Sequence, residues 1–233
     1  MKVTPVKTRI FKEGDDLVCF IEEFIPRLKE RSILVVTSKI VALAEGRTAP
    51  LSKKEKIIRK ESDQALRTKY VWLTIKKGDV LANAGVDESN AMGKLVLLPK
   101  DSFRAAALIR KEIMKLYKVK KLGIVLSDSR VAPLRAGVTG IALGYAGFKG
   151  LRDYRGKPDL FGRKMRYAKT NVADSIATAA ALVMGEGAEQ QPLAVIEDAP
   201  VVFSSIVHPG ETRVPIKDDM YQPLFARFFK KSK

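Results

Sequence analysis

Five short apolar runs, each bounded by polar or chain-breaking residues, constrain this chain more than any other feature. They are ILVVT (33–37), VWLTI (71–75), KLVLL (94–98), LGIVL (122–126) and LAVIE (193–197), all rich in β-branched or aliphatic side chains. Runs of this kind read as buried strands. Helical stretches separate them, so the chain alternates as an α/β or α+β protein does. Residues 15–25 and 54–69 have helical composition. The clearest helix is 102–118, where Ala106, Ile109, Ile113 and Leu116 form one stripe and Arg104, Arg110, Lys111 and Lys115 lie off it. Asp101 is placed to cap that helix. A second helix covers 171–184, and Gly185 stands where a left-handed C-terminal residue belongs.

Composition sets outer limits. With 46% hydrophobic residues the 233-residue chain buries a real core, as one globular unit over 1–233 or as two closely joined subdomains. No apolar run approaches the roughly 18 residues of a membrane span, and the first residues lack the apolar core of a secretory signal. A cytoplasmic protein that engages no membrane is the expectation. Cys19 and His208 are the only residues of their types, which leaves no intrachain disulfide and no His/Cys zinc set. Any metal must then be held by oxygen, which points to Mg²⁺ or Mn²⁺.

The formal charge of +17 gives a positive field that attracts something acidic. The basic residues gather in 52–60, 109–121 and KKSK (230–233), without interleaved aromatics. Nucleic acid is therefore not expected as the main ligand.

Polar clusters follow the strand-like runs, where α/β folds tend to build sites. Thr37-Ser38-Lys39 suits a phosphate contact or, more simply, a helix cap. The turn NAGVDESNA (83–91) is dense in oxygen donors, which suits a hard cation or an ordinary Asx-rich loop. SDS (127–129), with Arg130 and Arg135 nearby, suits metal-assisted phosphoryl transfer. MGEGAEQQP (184–192) supplies Glu186 in a flexible loop. Between the two helices, 137–163 holds seven glycines in 27 residues, for close approach to a ligand, a hairpin or crowded helix packing.

Taken in order, EGDDL (13–17), VVTSKIVALAEGR (35–47), NAGVDESNA (83–91), VLSDS with LRAG (125–137), IALGYAGFKGLRDYRGKPDLFGR (141–163), VAD (172–174) and ALVMGEG (181–187) resemble the coenzyme F-420-0:γ-glutamyl ligase family. The resemblance implies that family's α/β architecture and an intertwined homodimer. It also implies a ligase that phosphorylates an acceptor carboxylate with GTP (or ATP) and then joins L-glutamate to it as an amide. Two divalent ions, Mn²⁺ or Mg²⁺, with K⁺ as a further activator, belong to that chemistry. Carried over by motif, Asp87, Asp128, Ser129 and Glu186 hold metal. Thr8, Arg9, Ile10, Phe11, Ser38, Lys39, Asn90 and Met184, Gly185, Gly187, Ala188, Glu189, Gln190 and Gln191 contact the nucleotide. Arg135 is the basic residue expected to stabilise the transferring phosphoryl group.

Departures from the family pattern cluster near the ligands. Leu43 replaces a nucleotide-side lysine, leaving Lys39 as its substitute or the nucleotide preference altered. Ser129 stands for a threonine, and a family threonine maps to Ala168 or Thr170. Such changes suit a kept reaction with an altered acceptor, either a deazaflavin or an acidic protein tail that receives glutamates. A noncatalytic RNA- or ribosome-binding relative is the rival from another class, and the retained Asp87, Asp128 and Glu186 argue against it.

Overall fold

The computed structural model describes residues 1–229; the basic tail 230–233 lies outside the described residues. The architecture is mixed α and β, built on a five-stranded sheet. That sheet contains β1 (Lys2–Val6), β2 (Ile33–Thr37), β8 (Gly123–Arg130), β9 (Thr139–Ala146) and β12 (Leu193–Glu197), in the order β1-β12-β2-β8-β9. Only β2 and β8 run parallel; the other pairs are antiparallel. Pro5 sits in β1, an edge strand, where a missing N–H donor is tolerated.

Alternation along the central strands sends side chains into two cores. Leu34, Val36, Ile124 and Leu126 face α1 (Leu17–Phe24) and α4 (Ser102–Tyr117), packing on Phe20, Ile21, Ile109 and Ile113. Ile33, Val35, Val125 and Ile196 face the other way, onto Ile176, Ala177 and Ala180 of α5 (Val172–Met184). Both faces are covered, which is why these strands read as continuous apolar runs rather than alternating ones.

The helix ends follow their local chemistry. Asp16 accepts the Cys19 N–H, Asp101 the Arg104 N–H and Asn171 the Asp174 N–H, each satisfying a free donor of a first turn. Asp101→Ala is expected to cost about 1 kcal/mol, read as a fall of ~2–4 °C in thermal midpoint. The left-handed cap expected at Gly185 is absent: its φ is +80° but its ψ is 172°, an extended conformation open essentially to glycine alone. The left-handed cap belongs instead to Lys118, at the end of α4.

Four of the seven glycines of 137–163, at 140, 144, 147 and 150, serve crowded packing, while Gly137, Gly156 and Gly162 are open and at positive φ. A Cβ on Gly144 would lie 2.4 Å from the Ser102 carbonyl, and one on Gly140 would lie 2.4 Å from the Ala177 oxygen. The helices α4 and α5 therefore pack against the backbone of β9 on opposite sides. Farther on, β10 (Leu151–Asp153) and β11 (Lys169–Asn171) form a hairpin. Its long loop exposes Leu160, Phe161 and Tyr167 at 98%, 94% and 87%.

A lobe is inserted after α2 (Ser38–Ala44). It holds the pair β3 (Thr48–Pro50) and β7 (Lys94–Val96), the helix α3 (Lys54–Glu61), and the meander β4 (Gln64–Arg67), β5 (Trp72–Lys76) and β6 (Asp79–Ala82). The helix expected over 54–69 thus ends at Glu61. Ser62 is extended, and Ala65 and Leu66 pair with Thr74 and Leu73, so sheet pairing overrides a helix-forming composition. Ile58, Trp72 and Leu95 make a core of the lobe's own. The Glu61 carboxylate ties it together, accepting from Arg47 at 2.9 Å and Lys76 at 2.7 Å. Burial raises the Glu61 pKa, but the two cations outweigh it and the group lies below the ordinary range.

The remaining chain crosses back over the sheet. Phe203 pairs with Phe148, and the described residues end in α6 (Gln222–Phe229).

Candidate active site

Strand direction builds the site. The parallel pair sets Thr37 beside Ser127, so β2 and β8 end at the same edge of the sheet. β1 ends there too, and β12 begins there: the Pro192 carbonyl accepts from Thr37 N–H at 3.0 Å, and the Gln190 carbonyl from Thr8 N–H at 2.9 Å. The loop 83–91 comes over this edge from the inserted lobe. Between them is a cleft of about 420 Å³.

Nearly every residue assigned a role from sequence meets in this cleft. Thr8, Arg9, Ile10 and Phe11 line it after β1, and Ser38 and Lys39 line it from the start of α2. Asp87 and Asn90 reach in from the lobe, Asp128 and Ser129 from the end of β8, and Met184 through Gln191 from the loop after α5. Arg135 is the exception. It lies exposed on the turn between β8 and β9, its N–H donating to the Ala132 carbonyl, and is not among the lining residues. Ala168 and Thr170 are likewise away from the cleft, beside and within β11.

Cross-links hold the walls together. Lys39 Nζ donates to Asp87 Oδ2 at 2.7 Å and to the Ser89 carbonyl at 2.7 Å. Asn90 Nδ2 donates to the Gly187 carbonyl at 3.1 Å, and Ser129 Oγ to Glu186 Oε2 at 2.9 Å. Glu189 accepts the Gly187 N–H at 2.7 Å, and a Cβ on Gly185 would collide with the Glu189 carboxylate. Non-glycine residues at positive φ gather on the same loops: Asn83, Ala84, Asn90 and Met92 on one side, Gln190 on the other. Strain of this kind persists where surrounding bonds enforce it, and such places are often functional.

The carboxylates differ sharply. Burial pushes Asp128 up to about 7, and the negative charges of Asp87 and Glu186 add to the rise against a bond from Ser129 N–H and the more distant Lys39. Burial also raises Asp87, but Lys39 and the N–H and hydroxyl of Ser89 more than reverse this and hold it below the ordinary range. Asp128 has no ion-pair partner among the described residues. Its environment therefore favours a proton or an incoming cation. Among the described residues no group of three or more His, Cys, Asp or Glu side chains is gathered as a metal cage. The donor chemistry nonetheless fits a hard divalent ion, because all the candidate donors are oxygen and the least compensated carboxylate lies at the cleft floor.

Several lining residues carry no assignment from sequence. Ser89, which accepts from Lys39 and bonds Asp87, sits inside the quoted motif 83–91 and was visible in it. Ser127 and Pro192 also lie inside quoted motifs, 127–129 and 184–192, while Met92 gave no signal beyond adjacency to 83–91. Leu43 does line the cleft, at the position where the family pattern has lysine.

Comparison with known proteins places the chain in a family. A family model described as F420-0:Gamma-glutamyl ligase matches residues 5–198, most of the chain. The chain belongs to that family. A curated relative, the coenzyme F420:L-glutamate ligase of Methanococcus maripaludis, is 35% identical over 196 residues, covering 82% of this chain and 79% of the relative. The protein of the same name from Methanocaldococcus jannaschii is 35% identical over 199 residues, covering 83% and 79%. That of Methanopyrus kandleri is 30% identical over 240 residues, covering 93% and 94%. No helix among the described residues is long and apolar enough to cross a membrane.

Proposed function

We propose that this chain is a nucleotide-dependent ligase that joins L-glutamate to the carboxylate of coenzyme F-420-0 or a closely related acceptor. The convergence of Lys39, Asp87, Asn90, Asp128, Ser129 and Glu186 in one cleft carries this reading. A carboxylate is a poor acylating agent at neutral pH. In the reaction proposed, a carboxylate oxygen of the acceptor takes the terminal phosphoryl group of GTP or ATP, releasing the nucleoside diphosphate. The glutamate amine then attacks the acyl carbon, the amide bond forms, the C–O bond to phosphate breaks and the amine gives up a proton.

The chain's own groups suit these tasks. Lys39 and the backbone of 184–191 bind the phosphates, Asn90 orients the nucleotide, and the apolar Ile10, Phe11 and Leu43 exclude water from one side. Asp87, Asp128 and Glu186, with the Ser129 hydroxyl, are the groups that would hold Mn²⁺ or Mg²⁺. Such ions neutralise charge on the transferring phosphoryl group. K⁺ activation is part of the same proposal, as is assembly into a homodimer, for which the exposed Leu160, Phe161 and Tyr167 of the β10–β11 loop supply apolar surface.

The test is direct. The purified protein is given Mn²⁺, GTP or ATP, L-glutamate and the deazaflavin acceptor, and products are weighed by mass spectrometry. Gain of one or more glutamyl residues on the acceptor, with matching phosphate release, is expected. Failure to consume nucleotide with acceptor and glutamate both present would overturn the reading. The net charge of +17 favours one variation, an acidic protein tail as acceptor. That variation predicts the same mass increment on a protein carboxyl terminus and none on the deazaflavin.

A further inference from the structure

A larger cavity, about 590 Å³, shares no lining residue with the cleft. The β5–β6 turn forms one wall, the first turns of α4 a second, and residues 205–213 a third. Its floor is apolar, with Leu81, Leu98, Phe103 and Leu143. Five basic side chains and two carboxylates line it.

The pairing of these charges leaves an excess. Arg213 is neutralised by Asp79 at 2.6 Å, and Lys76 by Glu61 at 2.7 Å. Asp101 is engaged as the cap of α4. The side chains of Lys77, Arg104 and Arg110 form no ion pair among the described residues, although the backbone N–H of Lys77 donates to Asp63 at 2.6 Å and that of Arg104 to Asp101 at 3.0 Å, so the three cations face the one lining carboxylate left without a cation, Asp101. Lys77 Nζ donates to the Lys100 carbonyl and Arg110 Nε to the Leu122 carbonyl, bonds that leave both charges uncompensated. Burial without an anion holds the Arg110 guanidinium below its ordinary pKa.

The third wall is fixed in place without help from a ligand. Glu211 accepts from the Tyr145 hydroxyl and from Gly150 N–H, both at 2.7 Å, while Arg213 grips Asp79. That wall lies beyond residues 5–198, the part matched by the family model. The cavity is thus built in part from sequence that the family model does not describe.

We propose that this cavity is a second ligand site, for a small organic polyanion with carboxylate or phosphate groups on an apolar body. Guanidinium forks pair with either kind of anion, and a cavity with an apolar floor and few charged groups at its edge suits a molecule of mixed character. The site stands independently of the ligase reading, because it shares no residue with that cleft.

The test uses two probes, trimesate for carboxylates and naphthyl phosphate for phosphates, titrated calorimetrically into protein whose cleft is saturated with GTP. One-to-one binding of at least one probe is expected, and the better probe identifies the head group. Arg104 and Lys77 are exposed, so Arg104→Glu and Lys77→Glu should keep the wild-type melting profile. Each should weaken binding by about tenfold or more, a loss fitting one reversed contact charge. In the unmodified protein, the bound probe should also shield Lys77 from an amine-acetylating reagent. No binding of either probe, unchanged affinity in both variants, displacement by GTP, or an unshielded Lys77 would each overturn the proposal.

Discussion

Asp128→Asn is expected to lower ligation by about a thousandfold while leaving the protein at least as stable as before, since electrostatic groups at a reacting centre commonly carry effects of this size. The two effects have one cause. The Asp128 carboxyl sits partly buried with its pKa raised to about 7, repelled by Asp87 and Glu186. Below the ordinary carboxylate range, folded and unfolded chains both carry the proton, and the group has no effect on stability. As pH rises toward 7, the unfolded chain has released the proton while the folded chain retains it, so stability falls through that interval. The amide cannot ionise and escapes this loss. Its advantage should therefore be nil below about pH 4 and grow to ~1–2 kcal/mol near neutrality after allowance for solvent screening, about 2–8 °C in thermal midpoint. Added Mn²⁺ should raise the midpoint of the wild type and not that of the variant. A variant that keeps full activity, or one that melts well below the wild type at neutral pH, would remove Asp128 from its role.

Gly144→Ala should produce the largest loss of stability of any single methyl addition in the main sheet. The new Cβ would stand 2.4 Å from the carbonyl carbon and oxygen of Ser102, and 2.7 Å from the Phe103 nitrogen. These are backbone atoms in the first turn of α4, so no side chain can rotate away and the helix itself must shift. Overpacking typically costs ~1–3 kcal/mol, and with backbone on both sides the upper end applies, a fall of about 6–12 °C. The contrast is Gly137→Ala, which has no neighbour within 4 Å and pays only for its φ of +85°. Gly144 itself is not at positive φ, so equal melting losses in the two variants would show that α4 yields to the methyl and that crowding does not make Gly144 necessary.

The same glycine shows where sequence reading succeeds and where it stops. Seven glycines in 27 residues indicate close approach, but not to what. Only the register of β9 against β8, with Gly144 opposite Leu126, puts two of them under helices. Five apolar runs announced themselves as strands because both faces of the main sheet are covered, or because the lobe has a core of its own. β4 and β6 did not, being short and half-exposed, and β4 lay inside a stretch of helix-forming residues. At the site the motifs supplied the participants, since each lies at the end of one strand or on one loop. The bonds between them were not legible: Asn90 and Gly187 are 97 positions apart, and Lys39 and Asp87 are 48 apart. Arg135 was chosen for its charge near SDS, yet it follows a turn that leaves the cleft for solvent.

The order β1-β12-β2 has a consequence for how the protein comes into being. The last strand of the main sheet is inserted between its two earliest, with Val6 opposite Leu193 and Val36 opposite Leu193 on the other side. Synthesis proceeds from the amino terminus, so β1 and β2 emerge early and have no partner for each other. They must wait with open edges until Leu193–Glu197 leaves the ribosome. The Pro192 and Gln190 carbonyls that close the cleft arrive with that strand. A nascent chain therefore lacks one wall of the cleft until β12 is in place, and a chaperone that shields apolar edges has most to offer in the interval before β12 locks in.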